Sequence, residues 1–476
     1  MSPSVEPFDE AKYKALIDGL DCREVTLKDA LANKDKRIDS QFWTTHIPQN
    51  PRYTYSKIGN VILSSQYGMS IDMNTEKRGY PIFRMNELHH MLADLETEKY
   101  ANVSSIEYQL FALQNKDVLF NRTNSYEWVG RTGIYYKNDD TPFTFASYLV
   151  RFVPNTNVVL PEYLTTFLNT GIGIKAIKAR ARQSVNQTNV NPEEVKEIEI
   201  PLLSLRFQRA IEALFVTANQ KRVDARVLYD QAVATLHNYL NIKIEGSYKP
   251  HSEKLLSTSF LKSGRLDAEY FACKYDHIES QIMDHNTVRN SCVLYDNNFS
   301  PLNDVKYQYI ELANVDTTGG ISNVDFVAGC TLPSRARRLV KAGQVIVSSI
   351  EGSLSSCALI TPEYDNAICS TGFYVVSSQK YNSETLLLMF KSEAVQAMLK
   401  KRCSGTILTA ISKEEFENMP LPQIDKSVQE EIANEIQESF SLRDASKRLL
   451  NLAVKTVEMA IETDEESALS WLESQK

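Results

Sequence analysis

Two stretches of the chain carry apolar residues at intervals of three and four, the spacing that places them on one face of an α-helix. The first runs from about residue 204 to 241, the second from about 427 to 463, and neither contains Gly or Pro. The apolar positions include Ile211, Leu214, Ala218, Ala225 and Leu228 in the first stretch, and Ile432, Ile436, Phe440, Leu449, Ala453, Val457 and Ala460 in the second. The pattern predicts two helices of about 55 Å each.

Helices of this length need a packing partner beyond their own globular domain, because they are longer than a small domain is wide. The other helix is the simplest partner. Antiparallel pairing as a coiled coil is expected if a pseudo-two-fold axis relates the two halves of the chain, whereas parallel pairing would put both globular domains at one end. The remaining alternative is two surface helices on separate cores.

The rest of the chain shows short runs typical of mixed α and β structure. Strands are predicted at 117–120, 147–152, 344–347 and 373–376. A short helix is expected after a strand in each half, at 161–169 and at 383–396. The fold class is therefore α+β.

The sequence also contains an internal repeat. Segment 37–43 (RIDSQFW) returns as 265–271 (RLDAEYF). Thr188, Val195, Ile198, Ile200, Pro201 and Gln208 are matched without gaps, at an offset of 221 residues, by Thr409, Phe416, Met419, Leu421, Pro422 and Gln429. Each half ends in the same order, with a basic run, a polar loop, a strand closed by Pro and a long helix. We interpret the chain as two globular α/β-mixed domains in tandem, each followed by a long helix.

Composition is that of a folded, water-soluble protein of more than one domain: 476 residues, 43% hydrophobic and 24% charged. No run of about 18 apolar residues and no signal-like N-terminus occurs, so we expect a cytoplasmic protein without a membrane partner. The seven cysteines never form a C-x-x-C pair, so neither a disulfide framework nor a metal site is expected. Residues 426–476 hold 6 Lys and Arg against 11 Asp and Glu, which accounts for most of the net charge of −8 and leaves the remainder near balance.

Motifs of catalysis are absent from the sequence: it has no P-loop, no G-x-G-x-x-G, no H-E-x-x-H and no G-x-S-x-G. Glu194 and Lys196 have the E-x-K spacing of metal-dependent nucleases, but the repeat has Glu417 where the Lys would be. We therefore expect no catalytic residues and no enzyme activity of this chain.

Clusters of cations suggest contact with DNA. The residues predicted to contact bases or phosphates are Arg335, Arg337, Arg338 and Lys341 in the second half, and Arg122, Asn124 and Arg131 in the first. The basic runs supply further predicted phosphate contacts at Lys175, Lys178, Arg180, Lys400 and Lys401. The alternative for the cluster at 334–341 is a solvated helix start.

Several of these segments resemble the specificity subunits of type I restriction-modification systems. The stretch from 333 to 373, with PSRAR, GQVIV and NAICSTGF, resembles the body of a target recognition domain, and 265–271 resembles its start. The closing segments, QTNV with IPL and Gln208, and Ile411-Ser412 with PLP and Gln429, resemble the entry into the spacer helices of that family. The resemblance extends over essentially the whole chain.

The resemblance implies target recognition domains at 1–200 and 251–422, with spacer helices at 201–250 and 423–476, the last with an acidic tail. It implies recognition of a bipartite, asymmetric site in double-stranded DNA and two methyltransferase subunits as partners, with ATP-driven restriction subunits as a further partner. S-adenosylmethionine, ATP and Mg²⁺ would be bound by those partners and none by this chain. The alternatives are a coiled-coil scaffold that binds protein without DNA specificity, favoured by the acidic charge, and a nuclease centred on Glu194.

Overall fold

The computed structural model describes residues 9–32, 36–185, 187–244, 253–257, 259–282, 286–322, 324–405 and 409–475. The fold is mixed α and β with two long helices. In the described part of the chain, no helix is both long and apolar enough to cross a membrane. Parts of the predicted domain boundaries, at 245–252 and at the two termini, lie outside the described residues.

The helices are α1 (Glu10–Ile17), α2 (Leu27–Ala32), α3 (Ser40–Thr44), α4 (Ile58–Val61), α5 (Ser105–Phe111), α6 (Pro161–Asn169), α7 (Gly171–Arg180), α8 (Pro192–Val195), α9 (Leu205–Leu240), α10 (Phe260–Ser263), α11 (Cys273–Gln281), α12 (Val288–Ser291), α13 (Ser383–Lys391), α14 (Glu393–Arg402), α15 (Lys413–Glu417), α16 (Lys426–Glu462) and α17 (Glu465–Ser474). Single 3-10 turns lie at Met85–Glu87, Leu312–Asn314, Gly329–Thr331, Glu351–Ser353 and Pro362–Tyr364.

The strands before α9 are β1 (Tyr55–Lys57), β2 (Ile62–Tyr67), β3 (Met73–Asn74), β4 (Tyr80–Phe83), β5 (Leu88–His89), β6 (Leu92–Ala93), β7 (Tyr100–Ala101), β8 (Asp117–Asn121), β9 (Thr123–Asn124), β10 (Thr132–Tyr135), β11 (Thr144–Phe145), β12 (Leu149–Pro154), β13 (Arg182–Gln183), β14 (Thr188–Asn189) and β15 (Glu199–Pro201). Those after it are β16 (Cys292–Tyr295), β17 (Lys306–Ile310), β18 (Phe326–Ala328), β19 (Ala336–Leu339), β20 (Val345–Ser348), β21 (Cys357–Leu359), β22 (Ile368–Ser370), β23 (Phe373–Ser378), β24 (Cys403–Ser404) and β25 (Ala410–Ile411). The four predicted strands correspond to β8, β12, β20 and β23.

The chain forms two compact units. Unit 1 comprises residues 1–223 and 444–476, and unit 2 comprises residues 224–443. Each long helix is therefore divided between the units, α9 after Val223 and α16 after Arg443. The predicted assignment of each whole helix to the domain before it stays a prediction.

Unit 1 is built on a sheet of six strands in the order β2-β12-β8-β10-β6-β5. Its central strands are antiparallel, with Val150 opposite Phe120 and Ile134 opposite Val118. All five residues of β8 are buried, as expected for a strand covered on both faces. A smaller sheet, β11-β4-β7-β3, adjoins it, and in it β11 runs parallel to β4.

Unit 2 repeats this topology. Its main sheet has the order β16-β23-β20-β21, which matches β2-β12-β8-β10 strand for strand, with every pairing antiparallel in both units. The smaller sheet is β18-β17-β22-β19, and in it β17 runs parallel to β22 as β4 does to β11. The repeat found in the sequence is thus also a repeat of strand order.

The long helices α9 and α16 confirm the helical prediction to within one residue at each end. In unit 1 the first part of α9 and the last part of α16 contribute to one core, which includes Phe207, Phe215, Leu450 and Val457. In unit 2 the last part of α9 and the first part of α16 do the same, with Leu236 and Ile432 in one core. Neither core is complete without segments of both helices.

A buried glutamine ties each long helix to the sheet that precedes it. In unit 1 the Gln208 amide nitrogen donates to the carbonyls of Leu203 (2.8 Å) and Val158 (3.0 Å), and its oxygen accepts from the Leu160 N–H (2.7 Å). Gln429 in unit 2 forms the same three bonds, with Ile424, Lys380 and Asn382. The paired glutamines of the sequence repeat therefore have one structural role.

The predicted single helix at 383–396 is wrong. The structure contains two helices, α13 and α14, separated at Ser392, whose backbone is extended. The Ser392 hydroxyl donates to the Met389 carbonyl at 2.7 Å, and it accepts from the Val395 N–H at 3.5 Å. Thr170 separates α6 from α7 in the same way in unit 1, because one hydroxyl satisfies a carbonyl of the first helix and an N–H of the second.

Replacing either glutamine by alanine should destabilise its unit. Gln208→Ala leaves one N–H and two carbonyls without their partner in a fully buried position, so we expect a loss of about 2 to 4 kcal/mol in the free energy of unfolding. Gln429→Ala should cost about the same. Urea unfolding measures both, and Arg209→Ala, on the exposed side of α9, is the matched control, expected within about 0.5 kcal/mol of wild type. Equal stability of Gln208→Ala and the control would contradict this role.

Candidate nucleic-acid interface

The repeated R-x-D segment of unit 1 forms a cluster with the basic run of α7. The Arg37 guanidinium donates twice to Asp39, at 2.7 and 2.9 Å, and Asp39 accepts from the Phe42 N–H at the start of α3. Arg37 and Arg180 both lie over the Phe42 ring, 4.9 and 5.5 Å from its centroid. The segment thus attaches the start of the domain to the end of α7.

Unit 2 contains the same cluster. Arg265 donates twice to Asp267, again at 2.7 and 2.9 Å, and Asp267 accepts from the Tyr270 N–H. Arg265 and Lys401 lie over the Tyr270 ring at 4.2 and 5.2 Å. The shared geometry explains why the segment recurs in the sequence.

These clusters change the interpretation of the two basic runs. Lys401 is buried and pairs with Glu279 at 2.7 Å. Arg180 donates to the Ala176 carbonyl, and burial lowers its pKa. Lys178 donates to the carbonyls of Tyr126, Glu127 and Val129. Such partners argue against phosphate contacts by these three cations, whereas Lys175 and Lys400 are exposed.

Glu194 belongs to the same part of unit 1. Its side chain is buried and pairs with Arg37 at 3.1 Å and with Arg182 at 3.5 Å. Lys196 pairs with Glu193 at 2.5 Å. A carboxylate already held by two guanidinium groups is poorly placed to bind a metal ion, which argues against the nuclease alternative.

The predicted contacts of the second half lie on and beside β19, an edge strand of the smaller sheet of unit 2. Segment 334–341 is thus a strand with its flanks, not a helix start. Arg335 is 61% exposed and donates to the Tyr309 hydroxyl (3.3 Å) and the Glu311 carboxylate (3.0 Å). Arg337 donates only within its own turn, to the Ser334 carbonyl, among the bonds described.

Arg338 and Lys341 also have partners within unit 2. Arg338 donates to the Asp296 carbonyl and to the Asn298 side chain. Lys341 donates to Asn366 and lies 4.0 Å from Asp365, but its side chain is 54% exposed. Exposed pairs of this kind contribute little to stability, so Lys341 can exchange its partner for a phosphate at low cost.

The predicted contacts of the first half gather at one end of the main sheet of unit 1. Arg122 and Arg131 follow β8 and precede β10, and the Asn121 N–H donates to the Arg131 carbonyl at 2.8 Å. Arg131 lies over the Trp128 ring at 3.5 Å, and burial lowers its pKa to about 10. Arg122 lies over the Tyr67 ring at 5.2 Å, and Asn124 accepts from the Ser125 N–H.

The two sets occupy different positions of the repeated fold. Arg122 and Arg131 lie beside β8 and β10, whose counterparts in unit 2 are β20 and β21. The element that precedes β8 in unit 1 is the helix α5, whereas the element that precedes β20 in unit 2 is the strand β19. Lys306 and Phe326, which the sequence prediction did not include, are also exposed on the smaller sheet of unit 2, and single residues of a short strand give no periodic signal.

A pH dependence follows from the ion pair of the buried Lys401 with the partly buried Glu279. Burial raises the pKa of Glu279, but Arg402 and Lys401 outweigh it and hold this pKa below its ordinary value. The carboxylate therefore stabilises unit 2 above the pKa of the unfolded chain, about 4.3, and this contribution is lost as the pH falls. Glu279→Gln should cost about 2 to 4 kcal/mol at pH 7, nearly as much at pH 5, and progressively less as the pH falls from about 4.3 towards 3, measured by urea unfolding.

Glu393→Gln, at the exposed start of α14, is the matched control and should change stability little at any of these pH values. A Glu279→Gln difference that is the same at pH 7 and about pH 3 would contradict the ion pair.

Comparison with known proteins shows which proteins this chain is similar to in sequence. No family model matches the sequence. The putative type I restriction enzyme MjaX specificity subunit of Methanocaldococcus jannaschii is 26% identical over 175 residues, which cover 36% of this chain and 41% of that protein. The EcoKI specificity subunit of Escherichia coli is 24% identical over 182 residues, covering 37% of this chain and 39% of that protein. The chain thus spans about two fifths of the length of these relatives.

Two solved structures also match this chain. The crystal structure of a type I restriction-modification S subunit from M. genitalium is 13% identical and covers 89% of this chain and 96% of that one, with a TM-score of 0.36. The HsdS subunit from Thermoanaerobacter tengcongensis is 13% identical, with 87% and 98% covered and a TM-score of 0.30. The resemblance predicted from the sequence is confirmed by the curated relatives: this chain is similar to the specificity subunits of type I restriction enzymes.

Proposed function

We propose that this chain is the sequence-specific DNA-binding subunit of a type I restriction-modification complex. Each unit would read one half of a bipartite, asymmetric target in double-stranded DNA, and the chain would carry no catalysis of its own. The duplication supports this proposal most directly. Two domains with one topology and different surface cations suit a target with two different half-sites.

The helices α9 and α16 would act as a spacer, paired as an antiparallel coiled coil with pseudo-two-fold symmetry. In unit 1 the Ser446 hydroxyl donates to the Ala218 carbonyl at 2.8 Å. In unit 2 the Ser439 hydroxyl donates to the Ala225 carbonyl at 2.6 Å. From the first bond to the second, the position on α9 moves forward by seven residues, from Ala218 to Ala225, and the position on α16 moves back by seven, from Ser446 to Ser439. This relation is expected when two helices pair antiparallel with a heptad repeat.

The DNA contacts that the side-chain environments favour are the exposed cations. Arg335 and Arg337 on the smaller sheet of unit 2 suit the reading of base edges, because a guanidinium can donate twice to a guanine. Lys341, Lys175 and Lys400 suit phosphate contact. Arg122, Asn124 and Arg131 stay candidates in unit 1, where two aromatic rings hold the guanidinium groups in place.

The partners would be two methyltransferase subunits, which bind S-adenosylmethionine and flip the target adenine out of the duplex. ATP and Mg²⁺ would be used by restriction subunits where these join the complex. Apolar side chains are exposed along α9 at Val216, Val227 and Val233, and exposed apolar surface of this kind favours protein contact. The acidic residues of α16 and α17 also fit a protein partner better than DNA.

Selection from a library of random duplexes, with the full chain and its methyltransferase partner, tests the DNA-binding part. We expect enrichment of one sequence with two short half-sites and a gap of fixed length. Affinity for it should fall as salt is raised, because phosphate contacts release counterions. Recovery of no motif, with unchanged protein binding, would favour the scaffold alternative.

Variants of the exposed cations should divide into two classes. Arg335→Ala or Arg337→Ala should relax discrimination at one position of one half-site by about 1 to 3 kcal/mol. Lys175→Ala or Lys400→Ala should weaken binding to all sequences alike and lower the salt dependence. Fluorescence anisotropy on single-substituted duplexes measures both. Equal weakening on all duplexes by Arg335→Ala and Arg337→Ala would remove them as base readers.

A charge on the exposed face of α9 should weaken the partner contact. Val227→Glu is expected to reduce co-purification with the methyltransferase subunit while leaving the thermal unfolding of the chain unchanged, because this side chain is half-exposed. Leu63→Glu, an equally drastic change at an exposed position of β2, is the control. Full co-purification of Val227→Glu would contradict docking on this face.

A further inference from the structure

Each long helix carries an arginine that binds a turn of the recognition domain before it. The two residues, Arg222 of α9 and Arg443 of α16, are related by the same offset of 221 residues that relates Gln208 to Gln429. Arg222 and the turn that it binds lie in unit 1, and Arg443 and its turn lie in unit 2. Neither arginine has a role in the proposed DNA contacts.

In unit 2 the bound turn is the segment 316–320. Arg443 donates to the Asp316 carboxylate and to the Thr318 hydroxyl. The other Asp316 oxygen accepts from the backbone N–H of Thr318 (2.9 Å) and of Gly320 (3.0 Å), and from the Thr318 hydroxyl (2.8 Å). Burial raises the pKa of Asp316, but Arg443 and these hydrogen bonds outweigh it and hold the pKa far below its ordinary value. The carboxylate is therefore charged and holds the turn and the arginine together.

Gly320 makes the close approach possible. A Cβ at this position would lie 3.0 Å from both terminal nitrogens of Arg443 and 2.7 Å from an Asp316 oxygen. Its backbone does not have a positive φ, so the glycine is required for space and not for conformation. The turn is shaped to receive the guanidinium.

In unit 1, Arg222 binds the corresponding hairpin, β5-β6. It donates to the Ala93 carbonyl at 2.6 Å and to Asn219 at 3.0 Å, and Asn219 in turn donates to Asn138 at 2.7 Å. Asp94, next to Ala93, contributes an attractive charge. The partners differ from those in unit 2, but the position of the arginine on its helix and the element that it binds are the same.

The bound turns connect directly to the smaller sheets. In unit 2, β17 continues through the 3-10 turn Leu312–Asn314 into the turn that Arg443 binds. β17 carries Tyr309, and Glu311 follows it, and these two residues are the partners of Arg335. In unit 1, β4 continues through Met85–Glu87 into β5 in the same manner. In both 3-10 turns the last side chain accepts from the backbone N–H that precedes the turn, Glu87 from Arg84 at 2.7 Å and Asn314 from Glu311 at 2.8 Å, which keeps the connection short.

We propose that Arg222 and Arg443 are positioning residues that fix, on the spacer helix of each unit, the sheet beside which the proposed DNA contacts lie, and thereby set how strictly the protein measures the gap between half-sites. This is the main sheet, held through β5-β6, in unit 1, and the smaller sheet, held through the turn after β17, in unit 2. The second part of this inference rests on the proposed function. If this sheet can shift on its helix, the protein should accept gaps that the wild type rejects, since recognition requires groups held to within about 0.5 Å.

The first test is local and independent of DNA. In the full chain, Arg443→Gln should increase the hydrogen–deuterium exchange rate of the turn 316–320 by about tenfold or more, because the Thr318 and Gly320 amides lose an anchored acceptor. Gly320→Ala should act in the same direction without changing the arginine. Arg448→Gln, on an exposed position of the same helix, is the matched control and should leave the exchange unchanged. If the turn 316–320 exchanges at the wild-type rate in both Arg443→Gln and Gly320→Ala, the proposal is overturned.

The second test uses duplexes whose gap is one base pair shorter or longer than in the preferred target. Arg222→Gln and Arg443→Gln should each reduce the ratio of affinities for the correct and altered gaps by about tenfold, and discrimination against single base changes within a half-site should be kept. Arg443→Lys should restore this ratio only in part, because a lysine cannot donate as a fork. Wild-type gap selectivity in both Gln variants would overturn the positioning role.

The two tests separate this inference from the proposed function. If the wild-type chain selects no DNA sequence, the proposed function fails before any variant is compared. The exchange measurement then still decides whether Arg443 holds its turn.

Discussion

Burial of the apolar faces of the two long helices is the constraint on which the rest of the structure depends. The main core of each unit contains side chains of its own sheet and of segments of both α9 and α16. A helix of 36 or 37 residues would otherwise expose a long apolar stripe to water. The buried Gln208 and Gln429 then fix where each helix leaves its sheet, since their side chains satisfy three backbone groups at each junction.

Comparison of the two units distinguishes the features that the fold requires from those that can vary. The R-x-D cluster, the glutamine at the helix start, the hydroxyl that separates two short helices and the order of the main sheet are the same in both units. The cations on the surface are not, because unit 2 has a basic edge strand, β19, where unit 1 has the helix α5. The two units therefore share one core architecture but differ in their surface residues. A bipartite and asymmetric target would require this combination of a single chain.

The sequence predicted those features of the fold that arise from periodic spacing of residues and from the order of segments along the chain. The long helices, the four strands and the repeat follow from residues that recur at fixed spacing, and buried positions impose that spacing. The break at Ser392 was missed, because a hydroxyl that ends one helix and begins another looks like any exposed serine within an apolar pattern. The contacts of Lys178, Arg180 and Lys401 within their own units were also missed, since a basic run has the same sequence whether it meets phosphate, binds backbone carbonyls or pairs with a partly buried carboxylate such as Glu279.

The central claim is that the two units direct adenine methylation to one bipartite DNA sequence. A genome-wide map of N6-methyladenine in the source cell, with and without this gene, tests it most directly. The predicted result is the loss of one asymmetric motif with a gap of fixed length when the gene is removed, while all other methylated motifs persist. Identical maps, in cells where the chain co-purifies with an active methyltransferase, would contradict the claim.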